Sequence, residues 1–292
     1  MKIGFIGLGN MGAPMASHIS QHYPTLVLNR SLAKAEQWLT QNPGHAIATS
    51  PASMAEEADI IILCIGNDSD VRHTITGEQG ILATAKPGTL IVDHTTTSAD
   101  LAREMYARCQ QQGVDYLDAP VSGGQQGAIN GKLTVMIGGN PDAHQRAQAV
   151  LACYSANISW MGESGAGQLT KMVNQICVAG LIESLAEGIH FGLTAGLDME
   201  KVMATLSSGA AASWQMINRH KTMIEGQYDH GFAVDHMRKD LDICLAQAAT
   251  LKLDLPTTHQ VNQFYQELQS QGDGKHDTSS LLQRLQRQTN KT

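Results

Sequence analysis

The sequence predicts an α/β N-terminal domain with a mostly parallel sheet, followed by an all-α C-terminal domain. Three observations carry this reading. Short apolar runs alternate with helix-like stretches through the first half of the chain. A glycine-rich turn joins the first run to the first helix. From Gly165 onward, apolar residues recur at three- and four-residue spacing, the period of a helix.

The elements follow in order. Lys2 to Ile6 is an apolar strand ending in glycine, and Asn10 to Gln21 is helical. Thr25 to Leu28 is a second strand, and Ser31 stands at an N-cap position before a helix over Leu32 to Thr40. Ala58 to Ile65 is almost wholly apolar, as a strand covered on both faces must be. Thr89 to Val92, Val114 to Asp118 and Leu133 to Ile137 continue the sheet. Beyond a boundary near Met161, helices are expected over Gly165 to Gly196, Met199 to Ser207, Ser213 to Ile224, Val234 to Leu251 and Thr258 to Ser270, with no strand among them. Gly272 to Thr278 is polar and reads as a mobile tail before a last helix over Ser279 to Arg287.

Composition narrows the function classes. A chain of 292 residues with 42% apolar and 16% charged residues folds into a core rather than staying disordered. A net charge of -7 argues against nucleic acid as partner, since phosphate binding needs a basic surface. No uncharged apolar run suits a membrane span, and the N-terminus lacks a signal peptide's pattern. The five cysteines form no close pair, which fits scattered thiols in the cytoplasm and excludes a zinc or haem spacing.

Gly7-Leu8-Gly9-Asn10-Met11-Gly12 fits GxGxxG. It follows a strand and opens a helix, the context a dinucleotide pyrophosphate needs. Gly7 allows the tight turn, Gly9 lets the backbone approach the phosphates, and Gly12 allows close helix packing. This makes the first domain, residues 1–161, a Rossmann domain. About twenty residues on, NAD-binding chains carry a carboxylate for the ribose hydroxyls. Here Asn29-Arg30-Ser31 stands instead, with Lys34 one turn later. An arginine grips a 2′-phosphate that a carboxylate would repel, so NADP (as NADPH) is the expected cofactor and NAD the alternative.

Two further stretches carry chemistry. Asp118-Ala119-Pro120-Val121-Ser122-Gly123-Gly124 follows a strand and offers backbone N–H groups and a hydroxyl to a carboxylate. Gly165 to Gln175 places Lys171 and Asn174 three apart on one helix face. Lys171 stands in an apolar run, and burial of a lysine disfavours its charged form, which suits acid–base work.

These elements, with Met237-Arg238-Lys239-Asp240-Leu241, resemble in order and spacing the β-hydroxyacid dehydrogenase family over nearly the whole chain. The resemblance implies that Lys171 is the general acid in carbonyl reduction and the general base in alcohol oxidation. It implies that Asn174 orients the substrate, and that Ser122, Gly123 and Gly124 hold its carboxylate. Thr95, Thr96, Ile65, Gly66 and Lys239 would contact the cofactor, although many relatives have Leu-Pro at Ile65-Gly66. The expected reaction is NADPH-dependent reduction of a small carboxylate-bearing aldehyde or keto acid, without a metal. The helical domain, residues 162–292, would serve the substrate and oligomerisation, giving a homodimer or homotetramer. The alternatives are an NAD-dependent 3-hydroxyisobutyrate dehydrogenase, an imine reductase (disfavoured by Lys171) and a non-catalytic NADPH-binding module. A 6-phosphogluconate dehydrogenase is disfavoured because Val173 stands where that family has histidine.

Overall fold

The computed structural model describes residues 1–289. The chain divides into two compact units, Met1–Lys171 and a second beginning at Met172.

The first unit is a sheet with helices on both faces. In chain order its elements are β1 (Ile3–Ile6), α1 (Gly12–Ser20), β2 (Thr25–Leu28), α2 (Leu32–Gln41), β3 (Ala46–Ile47), α3 (Pro51–Ala55), β4 (Ile60–Leu63) and α4 (Asp68–Thr76). Then come β5 (Leu90–Asp93), α5 (Ala99–Gln110), β6 (Asp115–Asp118), β7 (Val121–Ser122), α6 (Gly124–Ile129), β8 (Leu133–Gly139), α7 (Pro141–Leu151) and β9 (Ser155–Gly162). The strands lie in the order β3-β2-β1-β4-β5-β6-β8-β7, with β9 on β8. The pairs from β3 to β6 are parallel, whereas β8 runs antiparallel to β6 and β7.

The apolar runs explain this layer structure. Phe5, Ile62 and Val92 face one side, packed with Met15 and Ile19 of α1 and Ala147 of α7. Ile6, Ile61 and Ile91 face the other, packed with Val71 of α4 and Met105 of α5. Alternate side chains of each buried strand thus enter opposite cores, so nearly every strand position is apolar. Chain order reverses direction between β1 and β4. In such sheets ligands bind beyond the carboxyl ends of the strands flanking that point.

Several elements were not delimited by the sequence. α4 reads DSDVRHTIT, a weak helix former, and is started by the Asn67 side chain accepting from the Ser69 and Asp70 amides. β9 joins the sheet although none of its residues is buried. Ser31 takes the N-cap position of α2 without a side-chain cap bond.

The second unit begins inside α8 (Ala166–Thr194) and continues with α9 (Met199–Leu206), α10 (Trp214–Ile224), α11 (Val234–Thr250), α12 (Pro256–Ser270) and α13 (Leu281–Thr289). Its core joins Ile182 and Ile189 of α8 to Met237 and Leu241 of α11, Tyr265 of α12 and Leu281 of α13. α8 corrects one expectation, because it is long and apolar enough to cross a membrane by length and composition, with mean hydropathy 1.4 over one stretch. Residues of that stretch, Ala179 and Ile182 among them, are core.

The supposed mobile tail is also corrected. Asp277 is fully buried and accepts from the Phe232 and Ser279 amides at 2.8 and 3.1 Å and from the Ser279 hydroxyl at 2.6 Å. Arg219 Nε stands 3.3 Å from it, and Ala233 and Asp277 form an isolated antiparallel bridge. The tail is polar because its carboxylate gathers donors from distant segments.

Candidate active site

The motif residues of the first unit gather at the carboxyl edge of its sheet. Gly7 to Gly12 connect β1 to α1, Asn29 to Ser31 follow β2, Ile65 and Gly66 follow β4, and Thr95 and Thr96 follow β5. Ser122 ends β7, and Gly123 and Gly124 open α6.

Two glycines of the first turn show opposite reasons for lacking a side chain. A Cβ on Gly12 would lie 1.8 Å from the Gly7 carbonyl oxygen, so packing alone demands glycine there. A Cβ on Gly9 would meet nothing within 4 Å, and the residue has no left-handed backbone. Nothing in the protein requires Gly9, whereas a pyrophosphate on the α1 N-terminus does, so the residues fit a dinucleotide.

The Asn29 carboxamide accepts from the Leu8 amide at 2.9 Å and donates to the Ser31 carbonyl at 3.0 Å. Asn29 thereby ties the glycine turn to the end of β2, while Arg30, Ser31 and Lys34 are exposed. Across the sheet, the Ile65 amide donates to Thr95 Oγ1 at 3.1 Å, so only the Ile65 carbonyl is left for an outside partner.

Buried polar groups brace this edge from below. Asp93 accepts from the Thr95 amide at 2.9 Å and from the Tyr116 hydroxyl at 3.0 Å. Burial pushes its carboxyl up to about 6 against these bonds. His94 is also fully buried, and burial pushes it down to about 4, so it is neutral at pH 7. Its Nδ1 lies 2.5 Å from the Ala119 carbonyl and must carry the proton. Nε2 therefore accepts from the Tyr154 hydroxyl at 2.7 Å. The peptide leading into Pro120 is held by this ring.

Asp118 opens the second motif. Its carboxylate accepts from the Gly165 amide at 2.8 Å and the Gln168 amide at 2.9 Å. It thus caps the helix that carries Lys171, with a negative charge at the positive end of the helix dipole. Burial raises it to about 6, and these backbone donors oppose the rise. Lys171 is 8% exposed, and its ammonium donates to the Val121 carbonyl at 2.9 Å, one residue before Ser122. Gly123 and Gly124 have φ of +124° and +62°, and a Cβ on Gly124 would meet nothing within 4 Å. This turn therefore presents open backbone near a buried ammonium.

Gln168, which the sequence reading passed over, is fully buried and bonded at both ends of its carboxamide. Its place three residues before Lys171, on the same helix face, was the signal available.

In the second unit, Asn174 Nδ2 donates to Gln175 Oε1 at 2.7 Å, and Gln175 Nε2 donates to Asp240 Oδ2 at 2.6 Å. Lys239 Nζ stands 3.3 Å from Asp240 Oδ1. Asn174 of α8 and Lys239 of α11 are thus linked through two buried residues. Asp240 thereby joins the two side chains through its carboxylate.

Comparison with known proteins agrees with this layout. Residues 2–162 match the NAD binding domain of 6-phosphogluconate dehydrogenase. Residues 165–285 match the family described as NAD-binding of NADP-dependent 3-hydroxyisobutyrate dehydrogenase. The chain is 51% identical over 287 residues to an uncharacterized oxidoreductase of Shewanella frigidimarina, covering 98% of each. It is 32% identical to the human mitochondrial 3-hydroxyisobutyrate dehydrogenase, over 97% of this chain and 86% of that protein. A Mycobacterium tuberculosis 3-hydroxyisobutyrate dehydrogenase structure with L-serine aligns at a TM-score of 0.87 and 28% identity, over 97% of this chain and 98% of that one. A structure of Psf3 in complex with NADP+ and 2-OPP aligns at a TM-score of 0.88 and 25% identity, over 97% and 99%. With its motifs in order on the matching fold, the chain belongs to the β-hydroxyacid dehydrogenase family, as an NAD(P)-dependent oxidoreductase acting on a CH–OH group.

Proposed function

We propose that the protein reduces a small aldehyde or keto acid bearing a carboxylate, using NADPH, and in reverse oxidises a β-hydroxy acid. The observation that carries this reading is the buried Lys171 ammonium on the Val121 carbonyl, adjoining the glycine turn at Ser122.

NADPH, when bound, supplies the hydride. The residues that would hold it are Gly7 to Gly12 at the pyrophosphate, Arg30 at the 2′-phosphate, and Thr95, Thr96 and Ile65 toward the nicotinamide, with Lys239 contributing from α11. Ser122, Gly123 and Gly124 hold the substrate carboxylate through the hydroxyl and the open backbone amides. Lys171 Nζ gives its proton to the carbonyl oxygen as negative charge builds there, and takes it back in the reverse direction. Asn174 orients the substrate.

Exposed Arg30, with no carboxylate at positions 29 to 31, supports NADPH over NADH. The NADP+ complex of the Psf3 relative adds to that support. L-Serine in the mycobacterial relative is itself a β-hydroxy acid with a carboxylate, the class inferred for this site. Only 39% of the apolar stretch of α8 is buried within one chain, which supports a homodimer or homotetramer. A cytoplasmic location completes the reading.

The test is NADPH oxidation against a panel of small semialdehydes and keto acids, with NADH in parallel and Lys171→Ala as control. Turnover that prefers NADPH and disappears in the variant is expected. Preference for NADH would reverse the reading of Arg30, and undiminished turnover in Lys171→Ala would overturn the acid. A silent panel with intact NADPH binding would favour an imine substrate or a binding role.

A further inference from the structure

Gln168 occupies the first turn of α8, and its side chain is fully buried. Its Nε2 donates to the Thr95 carbonyl at 2.8 Å, and its Oε1 accepts from the Thr97 amide at 3.1 Å. Those two backbone groups flank Thr96. A parallel strand grips a residue in this way, through the carbonyl before it and the amide after it. The carboxamide thus replaces a strand at the point where β5 has ended, and it fixes the peptides on both sides of Thr96.

The same residue is fixed from the other direction. Its backbone amide donates to Asp118 Oδ2 at 2.9 Å, beside the Gly165 amide on Oδ1 at 2.8 Å. Three residues later on the same face, Lys171 reaches the Val121 carbonyl. One helical turn therefore joins the backbone around Thr96 to the ammonium of Lys171. A leucine would fill similar space but leave the Thr95 carbonyl and Thr97 amide buried without partners.

We propose that Gln168 is a positioning residue, which sets the Thr95–Thr97 segment at a fixed separation from Lys171 so that hydride and proton reach the substrate in register. This rests on the functional reading above, in which Thr96 lies toward the nicotinamide and Lys171 is the acid. Loss of the carboxamide bonds leaves both groups present but out of register. Misplacement of that kind lowers kcat by up to about 10²-fold while binding contacts survive.

The experiment compares wild type, Gln168→Leu and Gln168→Glu in the full chain, with the best substrate of the panel. In Gln168→Leu, kcat is expected to fall ten- to a hundredfold, with KM and the NADPH dissociation constant within about threefold. Without cofactor, hydrogen exchange of residues 94–98 should quicken in that variant while the β1 and β4 amides keep their protection. Gln168→Glu keeps the acceptor for the Thr97 amide, but only a protonated carboxyl can donate to the Thr95 carbonyl. Its activity relative to wild type should therefore climb as pH falls from 8 toward 5.5, a rescue that general loosening of the fold would not give. It also serves if the leucine variant fails to fold. The proposal is overturned if folded Gln168→Leu keeps kcat within twofold, if NADPH affinity falls as far as kcat, or if the Gln168→Glu deficit is flat with pH. A wild type silent with every substrate would instead overturn the functional reading, and this inference with it.

Discussion

The two units bury polar side chains for different ends. In the first, Asp93, His94, Asp118 and Gln168 lie beneath the carboxyl edge of the sheet, and the hydrogen bonds of each reach a backbone segment that borders a motif. In the second, Asp277 draws together segments around Tyr228, Phe232 and Ser279, while Glu183 stands in the helical core with neither carboxylate oxygen hydrogen-bonded. A buried network around reactive groups holds geometry, whereas a buried hub between helices holds the chain together. Substitutions in the network beneath the sheet edge and at the Asp277 hub should therefore separate activity from stability.

The largest effect is expected at Lys171. Lys171→Ala should lower kcat by roughly 10²–10⁴-fold, the usual contribution of a positioned proton donor. The melting temperature should move by only a few degrees, because the change removes a flexible stem and its bond to the Val121 carbonyl rather than a packed core side chain. A variant that unfolded would place Lys171 among the structural groups and break the contrast.

Asp277→Ala should do the reverse. Removing one partner of a buried charged cluster costs about 3–5 kcal/mol, here with Arg219 and two amides left without their acceptor. For a unit of this size that lowers the melting temperature by roughly 10–20 °C, read by calorimetry. The kcat of the remaining folded protein should stay within about twofold.

These two sites also show what the sequence made legible. Gly7 to Gly12 could be read because the turn, the phosphate approach and the helix start all fall within six consecutive residues. Lys171 and Asn174 could be read because helical spacing puts them on one face. Asp118 and Gln168 are fifty residues apart in sequence, and no local pattern says that one caps the helix of the other. Residues 272–278 looked mobile for the same reason, since Asp277 meets donors that the chain brings from more than forty positions away. β9 escaped notice because edge position, not alternation of apolar residues, recruits it to β8.

A smaller effect is expected at Arg30. Arg30→Asp replaces a forked donor by a carboxylate that repels a 2′-phosphate and suits free ribose hydroxyls. Charge-assisted bonds of this kind contribute about 1.5–3 kcal/mol, so the ratio of kcat/KM for NADPH to that for NADH should fall by roughly ten- to a hundredfold. Residue 30 lies on the exposed rim of the first unit, so stability should not change. An unchanged ratio would show that the cofactor choice is made elsewhere.

The smallest effect tests the second unit from within. Burial pushes Glu183 up to about 7 from the ordinary value of 4.5, and Glu187 on α8 and Glu267 on α12 push the same way, while Arg284 on α13 opposes them. Arg284 is turned to Glu267 at 2.6 Å and lies over the Phe264 ring, so it does not pair with Glu183. The folded chain thus holds the Glu183 proton more tightly than the unfolded chain. The resulting stabilisation is whole below about pH 4.5 and is lost as pH rises to about 7. A carboxamide in place of the acid stays neutral throughout, so Glu183→Gln should match wild type near pH 4.5. It should exceed wild type by about 1–3 kcal/mol above pH 7, measured by urea unfolding across that range. A difference independent of pH would mean that Glu183 is already ionised in the fold and finds its compensation in Arg284. Glu183 would then be held as Asp277 is beside Arg219, by a neighbouring cation.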